Sequence, residues 1–220
     1  MIESFARLVP DRLSGRSGSV FYSGRTAFGA ESPLYVLGLN PGGDPAIQVD
    51  ATVGRQVDSV LRELRPDWCA YLDEAWGNRR AGAHPLQRRV VHVLENVGLD
   101  PRAVPASNVT FLRSRRGNDL PEPFEVLAAT CWPFHDAVIG QLSIGTVLCF
   151  GRAAGWWVRQ QLDAHVEQST FVENNARRWK STIHRNRAGI AVVTAAHPSV
   201  SDWTTPAADI RALLALAMRL

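Results

Sequence analysis

The chain has 220 residues, 45% of them hydrophobic and 20% charged. That size and apolar fraction suit one domain burying its own core and exclude wholesale disorder, and no apolar run approaches the roughly 20 residues of a membrane-spanning helix. The net charge of +3 is mild, but Lys180 is the sole lysine among 24 basic residues. Arginine forks match phosphate oxygens and stack on bases, although GC-rich codon usage would produce the same bias.

In chain order, residues 1–32 predict an irregular or partly helical lead-in. Its first residues, Met-Ile-Glu-Ser-Phe-Ala-Arg, lack the basic segment and apolar core of a secretory signal, so a soluble, cytoplasmic protein is expected. The run Leu34-Tyr35-Val36-Leu37-Gly38-Leu39 predicts a buried strand that stops at the loop Asn40-Pro41-Gly42-Gly43-Asp44-Pro45. Helical spacing follows in Val57, Val60, Leu61 and Leu64, and again from Leu86 to Val97 before Gly98. Asn108 to Leu112 predicts a strand that opens at Asn108, followed by the basic stretch Arg113 to Asp119. A helix is expected from Phe124 to about Leu142 despite Pro133, then a strand from Thr146 to Phe150 and a helix from Gly151-Arg152 to Leu162. Residues 163–189 predict a polar connection rich in basic residues. A last strand from Ile190 to Ala195 runs into Ala196-His197-Pro198-Ser199, and a helix over roughly 206–219 closes the chain. The alternation predicts a single domain over residues 1–220, a three-layer α/β/α sandwich around a mainly parallel four-stranded sheet.

Open parallel sheets bind ligands beyond the carboxyl ends of their strands, where four polar segments of this chain are expected to meet. Gly38-Leu39-Asn40-Pro41-Gly42 resembles the first active-site motif of the uracil-DNA glycosylase superfamily, nearest its single-strand-selective (SMUG-type) and mismatch-specific branches. Ala196-His197-Pro198-Ser199 resembles the second motif of that superfamily. Gly151-Arg152-Ala153-Ala154 is similar to a strand–helix turn of the SMUG-type branch, and Asn108 stands where the superfamily places its base-reading asparagine. The resemblance runs in order from about Leu34 to Thr204.

It implies a DNA glycosylase that flips a pyrimidine nucleotide out of DNA and needs neither metal nor cofactor. Breaking an N-glycosidic bond leaves an oxocarbenium-like sugar and a base gaining negative charge. His197 is the expected donor to pyrimidine O2, and Asn40 the residue that holds the attacking water. An amide is a poor base, so positioning and leaving-group stabilisation carry the chemistry. A strand-nicking enzyme usually needs an amine for a Schiff base; with Lys180 outside every motif, a monofunctional enzyme is expected.

Gly38, Leu39, Gly42, Val53 and Asn108 are the expected base-binding residues. In the uracil-specific branch a tyrosine stands at the Gly42 position and blocks substituents on C5, so Gly42 implies tolerance of C5-substituted pyrimidines, up to bulky hypermodified phage cytosines. Counting from Asn40, Val53 takes the place of a stacking phenylalanine. The amide of Asn108 suits uracil or cytosine, depending on its flip. Trp203 is a candidate wedge for the gap left by the flipped base. Ser199, Gly151, Arg152, Arg113, Arg115, Arg116, Arg178 and Lys180 are the expected phosphate contacts. The expected partner is DNA carrying uracil or a modified pyrimidine, with no membrane association, and the protein is expected to be a monomer. Base-excision repair and defence against phage DNA both fit. Cys69, Cys131 and Cys149 include no Cys-x-x-Cys pair, and His84, His92, His135, His165 and His184 show no metal spacing. His92 and the pair Trp156-Trp157 read as core. The alternatives are a glycosylase-like domain that binds DNA without cutting it, and a nucleotide-binding α/β enzyme, whose glycine motifs Gly38 to Gly43 does not match.

Overall fold

A computed structural model describes residues 1–116 and 119–219. The strands β1 (Leu34–Gly38), β2 (Ala106–Asn108) and β3 (Thr146–Phe150) are buried throughout. The fourth expected strand is β6 (Ala191–Ala195), buried at all but one position. Runs of apolar residues without alternation suit parallel strands covered on both faces. These four pair in parallel in the order β2-β1-β3-β6, with Val36 opposite both Ala106 and Leu148, and Leu148 opposite Val193.

The sheet has six strands rather than four. Residues expected as a polar connection form an antiparallel hairpin, β4 (Val166–Val172) and β5 (Lys180–Arg185), added beside β6. The order is β2-β1-β3-β6-β5-β4. The outermost strand, β4, is largely exposed, and its register shifts between Glu167 and Ser169. A bulged polar edge strand lacks the apolar alternation that would reveal it, and such edges resist pairing with other chains.

Alternate residues of the parallel strands enter two cores, as a period of two requires. Tyr35, Leu37, Val147, Cys149 and Val192 pack with Leu127, Phe134 and Val138 of α5 (Phe124–Gln141) and with Trp157 of α6 (Arg152–Gln161). Leu34, Val36, Leu148 and Val193 pack with Val90 and Val93 of α4 (Pro85–Asn96) and with Leu213 and Leu214 of α7 (Arg211–Arg219). Between β1 and α4 lie α2 (Val53–Asp58), a π-helical turn over Ser59–Glu63, and α3 (Ala70–Asp73). Helix α4 begins with a capping box, in which His84 Nδ1 accepts from Leu86 N–H and Gln87 Oε1 accepts from His84 N–H.

The lead-in is part of the core. Phe5 of α1 (Ile2–Ala6) and Phe21 meet Phe134 edge to face, with centroids 6.3 and 5.5 Å away, and Phe28 lies tilted against it at 6.5 Å. Three other expectations differ. Asn108 ends β2 instead of opening it, because the chain then bends to bridge Gly18 through Leu112. The last helix begins at Arg211, where Asp209 Oδ1 accepts from the Arg211 N–H at 2.9 Å. Of the tryptophan pair, Trp157 is core and Trp156 is exposed.

His135 lies wholly inside α5. Its Nδ1 meets the Tyr35 hydroxyl at 2.9 Å and its Nε2 the Val109 carbonyl at 3.2 Å. Burial holds the ring's pKa down to about 3. The folded chain therefore stays neutral there while the unfolded chain takes up a proton, so this stabilisation is complete above about pH 6.5 and drains away as the pH falls toward 3. Denaturant unfolding between pH 3 and 7 should show that acid slope. In His135→Gln it should be shallower, with stability at pH 7 reduced by about 1–3 kcal/mol. A slope unchanged by the substitution would remove His135 from the account.

Candidate active site

The carboxyl ends of β1, β2, β3 and β6 open into one cleft of about 1600 Å³. Asn40, Asn108, Gly151 and His197, far apart in sequence, all line it, as do Gly38, Leu39, Gly42 and Ser199.

Asn40 leaves β1 into the loop before α2. Its Nδ2 donates to the Pro41 carbonyl and to Ser114 Oγ, both at 2.9 Å, and Ser114 Oγ donates onward to the Arg116 carbonyl at 2.6 Å. Both amide hydrogens are thus committed, and Oδ1 remains as an acceptor with no protein donor among the described residues. A backbone bond from Ser114 N–H to Pro41 O, 3.1 Å, and an Arg113 bond to Gly42 O tie the same loop down. A Cβ built on Gly42 would meet no atom within 4 Å, so the cleft is open there.

His197 follows β6. Its Nδ1 accepts from Ser199 N–H at 3.1 Å and lies 2.8 Å from Ser199 Oγ. An N–H aimed at Nδ1 requires a lone pair there, so the neutral ring carries its proton on Nε2. Burial lowers the ring's pKa, which keeps it neutral. The ring stands edge to face with Phe150, centroids 6.1 Å apart, and Phe150 does the same with Trp203 at 5.5 Å. Gly151, at φ +86°, backs onto the His197 ring in a conformation other residues rarely adopt. Arg89 of α4 donates to Pro198 O at 2.7 Å and pairs with Asp202 at 3.1 Å, fixing the loop from the other side.

Asn108 is 6% exposed, and its Nδ2 is buried with no partner among the described residues. Its Oδ1 lies against Gly38, where a Cβ would come within 2.1 Å of it. Glycine at this strand end is what lets the amide fold across β1.

Two expected roles are corrected. Val53 is fully buried at the start of α2, does not line the cleft and cannot stack on a base. Trp203 is fully buried, with its Nε1 donating to Ala196 O at 3.1 Å. It braces the His197 loop and cannot reach into DNA. Among the basic residues, Arg113, Arg115, Arg116 and Arg152 line the cleft. Arg115 is paired with Asp44, which offsets its charge for phosphate. Gly117 and Asn118 of that stretch lie outside the described residues. Arg178 and Lys180 do not line the cleft; they sit exposed on the β4–β5 hairpin. The neighbouring Arg177 stacks 5.0 Å over Trp179 and bonds the Val200 carbonyl, linking the hairpin tip to the His197 loop. His92, expected as core, is half-buried, its Nε2 3.8 Å from Asp209.

Motif reading missed Ser114, and it missed a second wall made by Tyr22, Tyr71, Glu74 and Trp76, whose rings stand 5.9–6.2 Å apart. Trp76 Nε1 donates to Glu74 Oε2 at 2.8 Å, and burial raises the Glu74 carboxyl above its usual range. An Asp-Glu pair beside a tryptophan was the only available signal. Among the described residues, no group of three or more His, Cys, Asp and Glu stands ready for a metal, and no helix is long and apolar enough to cross a membrane.

No family model matches the chain, and no curated protein is significantly similar to it.

The close fit of Gly38 against Asn108 is directly testable. Gly38→Ala should destabilise the fold by about 1–3 kcal/mol, as over-packing does, and push the Asn108 side chain from its place. Thermal unfolding and a structure of the variant would check both; an unmoved Asn108 would contradict the contact.

Proposed function

We propose that the protein is a monofunctional DNA glycosylase of the uracil-DNA glycosylase type, acting on uracil or a C5-substituted pyrimidine. The observation that carries this reading is the pairing, in one cleft, of a free Asn40 carbonyl with a neutral His197 whose proton is on Nε2. The ordered motifs and the helix cores on both sheet faces agree with the three-layer sandwich of that superfamily.

In this mechanism a pyrimidine nucleotide flips into the cleft. Asn40 Oδ1 accepts a hydrogen bond from a water and holds it near the sugar C1′. The C1′–N1 bond breaks with its electron pair going to the base, and His197 Nε2–H donates to O2, where charge gathers. Water adds to C1′ and its proton passes through solvent to the departing base anion, giving a neutral free base and an abasic site. Ser114 is a positioning residue, since it determines which end of the Asn40 amide is free. The sole lysine, Lys180, and the N-terminal amine, bonded to Glu3, both stand outside the cleft, which supports base release without strand cleavage. The open space beside Gly42 supports acceptance of C5 substituents, hypermodified cytosines included. Arg113, Arg116, Arg152 and Ser199 are the proposed phosphate contacts. A monomer acting in the cytoplasm, in base-excision repair or against phage DNA, completes the proposal.

Base release followed by mass spectrometry, from duplexes carrying uracil, hydroxymethylated or glucosylated pyrimidines, tests it. Free base without strand breaks is expected. Asn40→Ala and His197→Ala should each slow release by about 100-fold or more while DNA binding persists and weakens with salt. DNA binding with no release from any substrate would leave a glycosylase-like binding domain.

The open wall has its own test. Gly42→Tyr should suppress release of C5-substituted bases by about tenfold or more relative to uracil. Equal effects on both would mean that the substituent points elsewhere.

A further inference from the structure

Two polar groups on the cleft wall have no task in holding the water or the O2 of the base. Asn108 presents a buried Nδ2 donor with no acceptor among the described residues. Glu74 lines the same cleft with one oxygen engaged: Trp76 Nε1 donates to Oε2 at 2.8 Å, while Oε1 receives no protein donor among the described residues. The residue is held in place by the fully buried Gln87, whose Nε2 donates to the Glu74 carbonyl at 2.8 Å. A buried donor is costly to leave unpaired, and the free Glu74 oxygen opens onto the same cavity wall, which points to a ligand that pairs both.

The topology sets their order. His197 follows β6, at one side of the four parallel strands, and Asn108 ends β2 at the other. Beyond β2 runs the lead-in, because Tyr22 N–H donates to Ala106 O at 2.9 Å. Helix α3 is tied to that segment in turn, through Ala70 N–H to Tyr22 O at 2.9 Å. Glu74 follows α3 directly. The Tyr22 ring lines the same cleft as Asn108 and Glu74 and stands 6.2 Å from the Trp76 indole that holds Glu74. Asn108 therefore lies between His197 and Glu74, and the cleft offers donor, donor, acceptor in sequence.

A cytosine-type base displays O2 as acceptor, N3 as acceptor and the 4-amino group as donor. A uracil-type base displays an acceptor, a donor and an acceptor. The first complements the wall at every place. The second sets O4 against the Glu74 carboxylate, and turning the Asn108 amide over to serve N3–H leaves that clash standing. Resting on the glycosylase reading above, we propose that Glu74 and Asn108 select a 4-aminopyrimidine over its 4-oxo counterpart, Glu74 accepting from the exocyclic amine and Asn108 donating to N3. The pairing also serves the chemistry, since bond cleavage puts charge on O2 and N3, where the two donors stand.

The test uses duplexes with matched 4-amino and 4-oxo bases carrying hydrogen, hydroxymethyl or glucosylated hydroxymethyl at C5. The intact protein should release the 4-amino member of an accepted pair at least ten times faster. Glu74→Gln should cut that ratio at least tenfold with little change in melting temperature. If Glu74→Gln fails to fold, Trp76→Phe, which removes the donor that holds Glu74 and trims the indole packed against Tyr22, Tyr71 and His84, should lower the ratio in the same direction. A 4-oxo preference, or a ratio that neither variant moves, overturns the proposal while leaving glycosylase activity in place. No release from any duplex overturns the glycosylase reading, and this inference with it.

Discussion

A single backbone N–H fixes which end of His197 can act. Ser199 points its amide at Nδ1. That bond disfavours a second proton on the ring as well as choosing the tautomer, because a doubly protonated imidazole would set one N–H against another. Burial works in the same direction. The ring thus meets the cleft as a neutral donor, able to stabilise developing charge without first losing a proton. Everything else around the loop serves to keep this geometry: Trp203 beneath Ala196, Arg89 on Pro198, Phe150 against the ring, and Arg177 reaching from the hairpin to Val200.

The Asn40 side is built on the same logic with different parts. Here the Ser114 hydroxyl and the Pro41 carbonyl consume one amide hydrogen each, so that only the amide oxygen is free. The basic stretch after β2 therefore has structural work to do. Arg113 and Arg115 both bind the Asn40–Asp44 loop, Arg113 through Gly42 O and Arg115 through Asp44. A loop rich in glycine and proline has little packing of its own, and cross-links of this kind replace it.

Much of the parallel framework was legible because buried parallel strands are continuous apolar runs. β3 has the expected limits, β1 is one residue shorter, and α5 runs through Pro133. Asn40 and His197 were legible because short motifs at strand ends meet wherever a parallel sheet gathers its loops. The hairpin was not, since an exposed edge strand carries no core pattern. Trp203 and Val53 went astray for a different reason. A motif offset says how far a residue lies along the chain but not which way its side chain turns, and both turn inward. Ser114 gave no signal, and Glu74 none beyond its place beside Asp73 and Trp76, because their settings depend on partners 74 and 13 residues away, Asn40 in one case and Gln87 in the other.

In the proposed glycosylase, the two walls of the cleft divide the work of selection unequally. Removing a side chain at Gly42 widens the cavity, but volume alone discriminates weakly; an extra group in an apolar pocket is worth only about 1–3 kcal/mol. A wide cavity admits many bases and rejects few. Polar groups left unpaired by the wrong base impose a sharper penalty, and it grows with burial. Asn108 is nearly sealed off, the Glu74 carboxylate is held by an indole, and the Glu74 backbone is anchored by a buried glutamine, so a rearrangement of either side chain breaks a contact. A cleft open at C5 and strict at the hydrogen-bonding edge can accept large changes in a substituent while still reading the base that bears it.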